Sequence, residues 1–498
     1  MTRISSRISA LTVLFAGALA VTAFAPYGWY PVAIVSLAVL FNQWLSDTPG
    51  QALLHGSIFG LGYFGAGVSW IFVSIYVYGQ VHMSAAILVT VVFVAVLSLY
   101  PAFLGYFLRR LSTASTGLPP LLMFAAGWIV VEWLRGWILL AFPWLSIGSS
   151  QVDSPLSAYA PLAGVYGTGL AVALSAALLV AVVRNQQRLV SLFCILVIWA
   201  GAFIADQQEW TTPSDERLRV ALVQGNIPQD EKWLPENIQK TLTQYTELTF
   251  AQQDTDLVIW PETAIPAFYH QVEDSFIPWL ESRLQESGMS MLTGVPVLDK
   301  RDWEYFNAVT SIGDNRMFYY KRHLVPFGEY LPLRDVIGTT LDALAVPNGD
   351  FSRGTDSQEL IEVAGYPVAA SICFEVAFSE LIAASLPQAA LLVNVSNDAW
   401  FGNSLAPHQH LEMARLRAKE TGRPMLRATN TGISAIIDYD GEILASSAQF
   451  ESAVVTGVIA PRQGSTPYVR FGNAPVIILC SILLLFGWLG RRTGSSGS

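Results

Sequence analysis

The chain has 498 residues, of which only 13% are charged, with a mean hydropathy of +0.43 and a formal net charge of −10. Soluble domains carry about 25% charged residues, so a wholly soluble protein is excluded. Residues 211–470 hold 33 of the 38 acids and 19 of the 28 bases, and that acidic balance argues against nucleic acid, whose phosphates need clustered Lys and Arg.

The N-terminal stretch MTRISSRISALTVLFAGALA places basic residues before an apolar run, as a signal peptide does. Further apolar segments follow after a short break, so it is read as a first membrane helix. A span needs about 20 apolar residues. Spans are expected near 8–25, 29–45, 54–75, 83–107, 118–137, 165–183, 189–206 and 473–490, eight in all. Seven precede the polar segment, giving a helical part over 1–210, a polar domain over 211–466, and a last helix with its tail over 467–498. With eight spans, Arg3 and Arg7, Arg109 and Arg110, Arg184 and Arg188, and Arg491 and Arg492 all fall on one side, which the positive-inside rule makes cytoplasmic. The polar domain then lies on the opposite face.

Two features interrupt the apolar part. Glu132 and Arg135 stand three residues apart in WIVVEWLRGW, and intramembrane charges are functional candidates, with a local ion pair as the plainer reading. The stretch 142–167 is too broken by Pro, Gly and Ser to span, so a loop near 138–164 is placed on the same side as the polar domain.

In the polar domain, β-rich runs alternate with polar-faced helical stretches. Strands are expected at 218–224, 256–262, 290–297, 366–374, 389–397 and 433–445, and helices at 236–253 and 408–422. This is an α/β layered domain. Of the three cysteines, Cys194 and Cys480 lie in apolar segments, which rules out a disulfide framework. The third, Cys373, ends the strand YPVAASICF, with Glu375 two residues on. Glu262 ends another strand, in VIWPET, and Lys321 follows an aromatic run in MFYYKRHLVPFGEY. A cysteine attacks as thiolate and needs a base or a positive neighbour. A glutamate supplies the base, and a lysine steadies the thiolate and a developing oxyanion. Taken one at a time, a buried cysteine is a small hydrophobe, and the acid and the lysine are ordinary surface groups. His408 and His410 in PHQH sit at i, i+2 and do not share a helix face, and no H-E-x-x-H or Cys-x-x-Cys accompanies them. No metal and no cofactor are expected.

Wider context decides between these readings. WPET, YYKRHLVPFGEY and SICFE resemble, in that order, the Glu, Lys and Cys motifs of the nitrilase superfamily. KRHLVPFGEYLPLR and NVSNDAWFG are similar to one branch, the apolipoprotein N-acyltransferases, as are FAPYGWYP, FGLGYFGAGVSWIFVSI and FPWLSIGSSQ in the apolar part. The resemblance implies an α-β-β-α sandwich carried on eight transmembrane helices. It implies a multi-pass protein of the inner membrane of a Gram-negative bacterium, with the catalytic domain in the periplasm. It also implies a reaction: an acyl chain passes from a phospholipid to the α-amine of an S-diacylglyceryl cysteine in an apolipoprotein, through a thioester. Glu262, Lys321 and Cys373 match the catalytic positions. Glu329, Glu375, Phe374 and Trp233 match supporting or substrate-binding ones, Trp233 as an aromatic that closes over lipid. A membrane-tethered amidase acting on a small carbon–nitrogen bond would use the same three residues. A transporter would need a polar path, and the spans offer only Glu132, Arg135, His55 and His82.

Overall fold

The computed structural model describes residues 3–112, 117–138, 141–313, 315–326, 328–330 and 351–493. They form two compact units, one of residues 1–72, 84–209 and 470–498, the other of 73–83 and 210–469. The final residues of the KRHLVPFGEYLPLR motif, 331–334, lie outside the described residues.

The first unit is helical: Arg3–Ala20, Pro31–Ser46, Pro49–Gly67, Met83–Leu111, Leu118–Arg135, Ala160–Val183, Arg188–Ala205 and Ala474–Thr493. Four stretches, Met83–Leu111, Leu118–Arg135, Pro155–Val183 and Arg188–Ala205, are long and apolar enough to cross a bilayer. A fifth is the pair Pro49–Gly67 and Ile71–Tyr78, bent by 56° at its break. Apolar stretches at Arg7–Ala23, Pro31–Ser46 and Ala474–Leu489 are shorter. The span expected near 54–75 corresponds to this bent pair, whose break at 68–70 the run of apolar residues does not register. Helices approach closely through small residues. A Cβ on Gly17 would stand 2.2 Å from the Phe59 carbonyl oxygen, and one on Gly62 2.2 Å from that of Leu14, so only glycine allows this backbone contact. Glu132 accepts from Trp128 Nε1 and the Ile147 N–H, both at 2.9 Å. Arg135 lies over the Phe64 ring at 5.2 Å and, with Glu132, lines one small cavity with Tyr63, Tyr100 and Trp128.

The second unit holds two six-stranded sheets and a two-stranded one. Its strands are β1 (Thr211–Pro213), β2 (Leu218–Gln224), β3 (Leu257–Ile259), β4 (Ser290–Asp299), β5 (Glu304–Ile312), β6 (Phe318–Tyr320), β7 (Ile361–Val363), β8 (Tyr366–Ile372), β9 (Leu391–Ser396), β10 (Met425–Thr429), β11 (Ala435–Ile437), β12 (Ile443–Ser446), β13 (Ala453–Ile459) and β14 (Arg462–Gly464). One sheet runs β13-β2-β3-β4-β5-β6, the other β12-β11-β10-β9-β8-β7, and β1 pairs with β14. The cores of both large sheets are parallel, β2-β3-β4 and β8-β9-β10.

Side chains alternate across a strand with a period of two, and both faces of these sheets are covered. Leu218, Val220 and Leu222 of β2 join Leu391, Val393 and Val395 of β9 in the layer between the sheets. The intervening Ala221 and Val223 pack with Leu242 and Tyr245 of helix Pro235–Phe250 and with Leu280 of helix Phe276–Ser287. On the far side, Leu392, Met425 and Ala435 meet Leu411, Ala414 and Ala418 of helix Ala406–Thr421. The result is an α-β-β-α sandwich. Burial on both faces is why these strands read as continuous apolar runs. One expected strand is corrected: 433–445 is two strands, β11 and β12, joined by a tight turn whose Gly441 N–H donates to Asp438 O. The D-Y-D-G there is an ordinary turn signal.

Candidate active site

Parallel sheets deliver their strand carboxyl ends to a common edge, and the sandwich uses this twice. Cys373 follows β8 directly, and its φ of +52° places a non-glycine residue in the left-handed region. Such geometry is rare and needs support from its surroundings. The chain then turns into a single 3-10 segment, Cys373–Ala377, leaving the thiol half-buried at the turn.

Glu262 follows β3 in a second tight turn, with Thr263 at φ +48°. Gly294 on β4 lies beneath it. A Cβ there would stand 2.5 Å from Thr263 N, 2.6 Å from Pro261 O and 2.7 Å from Glu262 Cα. Lys232 fixes the same turn from outside, donating to Glu262 O at 3.1 Å and Thr263 Oγ1 at 2.6 Å. The carboxylate accepts from Asn307 Nδ2 at 2.7 Å on Oε1 and from the Asn397 N–H at 2.8 Å on Oε2.

Lys321 comes immediately after β6, only 1% exposed. Its Nζ lies 2.8 Å from Glu329 Oε1 and 3.8 Å from Glu262 Oε1. Glu329 also accepts from the Val325 N–H at 2.8 Å and Asn307 Nδ2 at 3.2 Å. Asn307 thus bridges two carboxylates that share one ammonium.

Glu375 is fully buried and saturated. Its oxygens accept from the N–H groups of Arg322 at 2.6 Å, His323 at 3.0 Å and Ile372 at 2.8 Å, and from the Tyr319 hydroxyl at 2.9 Å. It ties the end of β8 to the residues just after Lys321. Phe374 is 6% exposed, with its ring edge-on to Phe378 at 5.1 Å. Trp233 is 46% exposed, one residue past Lys232. Tyr330, next to Glu329, and Trp400, three residues past Asn397, are also exposed, so aromatic side chains adjoin three separate site residues.

The charges act on one another. Burial pushes the Cys373 thiol up to about 12, the Glu262 carboxylate adds to this, and the Lys321 ammonium opposes it. Burial alone would lower Lys321, but Glu329 and Glu262 more than offset it and keep it an ammonium. Burial lowers Lys232 to about 8 against the pull of Glu262. His323 is pushed down to about 4 by burial and by Arg353 and Lys321. The site therefore presents a protonated thiol that feels both a carboxylate and a lysine ammonium. That set can pass a proton, form a covalent bond to sulfur and steady an oxyanion.

The structure brings Glu262, Lys321, Glu329 and Cys373 into one electrostatically coupled cluster, sets Glu375 behind it, and leaves Trp233 exposed beside Lys232. Sequence reasoning missed Lys232, Asn307 and Asn397. Asn307 is one of three buried polar residues on β5, with Thr310 and Ser311, and that strand was not expected at all. Asn397 lay in the NVSNDAWFG stretch, where Asp398 carried an equal signal. Among the described residues no three His, Cys, Asp or Glu side chains gather to hold a metal ion.

The fold and this cluster define the carbon–nitrogen hydrolase class, and the carbon-nitrogen hydrolase family model matches residues 219–468. A second model, the apolipoprotein N-acyltransferase N-terminal domain, matches residues 16–178. A protein of Methylococcus capsulatus named apolipoprotein N-acyltransferase is 46% identical over 488 residues, covering 98% of this chain and 97% of its own. One of Nitrosomonas europaea with the same name is 43% identical over 482 residues, covering 96% of each chain. Among solved structures, Saccharomyces cerevisiae Nit3, of the nitrilase superfamily, is 18% identical at a TM-score of 0.39, over 50% of this chain and 93% of its own. The chain belongs to the apolipoprotein N-acyltransferase family.

Proposed function

We propose that this protein moves an acyl chain from a membrane phospholipid to the N-terminal amine of an S-diacylglyceryl cysteine on apolipoproteins, through a thioester on Cys373. The observation that carries the mechanism is the convergence of Glu262 and Lys321 on a protonated thiol. Burial and the Glu262 charge favour the neutral thiol, so Glu262 takes its proton as the sulfur attacks the ester carbonyl. The Cys373 S–C bond forms as charge gathers on the carbonyl oxygen, which the Lys321 ammonium and the Phe374 N–H hold. Glu262 returns the proton to the departing glycerol oxygen, the C–O bond breaks, and a lysophospholipid leaves.

In the second half, an α-amine with a pKa near 8 is freed of its proton at a cost of about 1 kcal/mol at neutral pH. It attacks the thioester, Glu262 takes its proton, and the C–S bond breaks to restore the thiol. Lys321 works throughout as a fixed cation, with Glu329 and Asn307 holding its position.

The helical unit supports an integral membrane protein of eight spans, with the three shorter apolar helices and the bent pair each crossing once. The arginine distribution supports a sandwich on the periplasmic face of the inner membrane. The test is direct. Wild type incubated with phospholipid vesicles gains the mass of one acyl chain on Cys373 and passes it to a diacylated lipopeptide. Absence of the adduct, with release of ammonia from small amides, would favour the amidase reading instead.

A further inference from the structure

Beneath the reacting turn lies a buried network that the mechanism above does not use. The Cys373 carbonyl oxygen points into the sandwich, 3.0 Å from His410 Nε2 and 3.4 Å from Asn394 Nδ2. His410 is fully buried on helix Ala406–Thr421. Its Nδ1 stands 2.9 Å from Arg427 Nη2 and 3.0 Å from Asp398 Oδ1. Arg427 in turn donates to Asp398 Oδ2 at 2.7 Å and to Asn394 Oδ1, and Ser396 Oγ donates to Asp398 Oδ1 at 2.7 Å. These residues come from the end of β9, the turn after it, β10 and the helix, so four elements converge on one carbonyl.

The network fixes which nitrogen carries the proton. Burial and then the Arg427 charge push the imidazole below its ordinary value, against the pull of Asp398. The Cys373 carbonyl oxygen can only accept, so Nε2 carries a hydrogen and donates to it, while Nδ1 lies between the Arg427 guanidinium and the Asp398 carboxylate. Asp398 stays ionised, because Arg427 and His410 outweigh the burial that would raise it.

One peptide plane turns this into a role. The carbonyl of Cys373 and the N–H of Phe374 belong to the same rigid, planar amide and point in opposite directions. Anchoring the oxygen inward aims the N–H outward, to the thiol side of the turn. The residue carrying that carbonyl is held at φ +52°, so without an anchor the plane would relax toward commoner geometry. We infer that His410, set by Asp398 and Arg427, is a positioning residue that orients the Phe374 N–H as an oxyanion donor during acylation of Cys373. The inference rests on the proposal that Cys373 is the acylated nucleophile.

The test separates reactions that build an oxyanion from one that does not. Full-length wild type, His410→Leu and His410→Gln are assayed in phospholipid vesicles for single-turnover acylation of Cys373, and separately for alkylation by iodoacetamide. Alkylation is a displacement at a saturated carbon and needs no oxyanion donor. His410→Leu is expected to slow acylation by about 10²-fold, the scale of one lost oxyanion donor, with alkylation changed less than about threefold. His410→Gln, whose amide can still donate to the carbonyl, is expected to recover acylation to within about tenfold of wild type. Parallel losses in both reactions overturn the inference, as does undiminished acylation in His410→Leu. If His410→Leu does not accumulate, acylation in His410→Gln slowed by 10²-fold or more with alkylation intact also overturns it. Wild type that is alkylated but never acylated removes the functional proposal itself, whatever the variants do.

Discussion

In the helical unit Val183, Leu189 and Phe203 stand 75, 82 and 68% exposed, whereas in the sandwich residues of the same kinds fill the layer between the sheets. Polar groups diverge in the same way. Thr90, Ser98 and Ser175 donate back to the carbonyls of Ala86, Val94 and Ala171 on their own helices. In the sandwich, Glu262 accepts from Asn397, which is 135 residues away in sequence, and Glu375 from Arg322, 53 residues before it. A bilayer offers no water to satisfy a loose polar group, so these Ser and Thr hydroxyls close on the preceding turn, while the Tyr63 hydroxyl donates to Leu145 O, 82 residues on. The sandwich can afford long-range polar links, and it places them around its reacting turns. Removing one of these helix-closing Ser or Thr hydroxyls should therefore be mild, and removing a polar partner at the reacting turns costly.

That contrast can be attacked from its most sensitive point downward. Cys373→Ala should abolish acyl capture and transfer by about 10⁴-fold or more, read by mass spectrometry and lipopeptide acylation. In wild type, alkylation of Cys373 should rise about tenfold per pH unit between pH 7 and 10 with no plateau, since its thiol titrates near 12. The thiol is the neutral form and its anion reacts, so the rate climbs with pH throughout; a plateau below pH 9 would mean a pre-formed thiolate. Glu262→Gln should lower acylation by about 10² to 10⁴-fold, the scale of a lost general base. Gly294→Ala leaves every reacting group in place but drives a methyl into the Glu262 turn. A shift of about 1 Å there should cost up to about 10²-fold in acylation. The smallest effects are on stability. Glu375→Gln leaves buried donors facing an amide N–H and should cost about 1–3 kcal/mol, whereas Ser98→Ala on its helix should stay within about 0.5 kcal/mol. Equal losses in thermal denaturation would break the contrast.

Much of this was legible in the sequence for a physical reason. Strands buried on both faces leave unbroken apolar runs, so β2 fell where 218–224 placed it, and the reacting residues follow such runs directly. The resemblance in WPET, KRHLVPFGEY and SICFE singled out the charges. What was not legible is what depends on distant partners. Asn307, between two carboxylates, has neighbours in sequence that say nothing of its partners. His410 was weighed only as a metal ligand, since its spacing from His408 is local and its bond to Cys373 O spans 37 residues. The break at 68–70 escaped because hydropathy is blind to direction, and the hairpin at 433–445 because its turn is flanked by strand-like residues on both sides.

The elevated Cys373 thiol has one more consequence. Peroxide and stray disulfides react with the anion, and oxidation susceptibility follows thiolate character. A sulfur that gives up its proton only to a neighbouring base during turnover is chemically quiet between turnovers. If Cys373 is the acylated nucleophile, its reactivity is raised by the arrival of a substrate rather than maintained at rest.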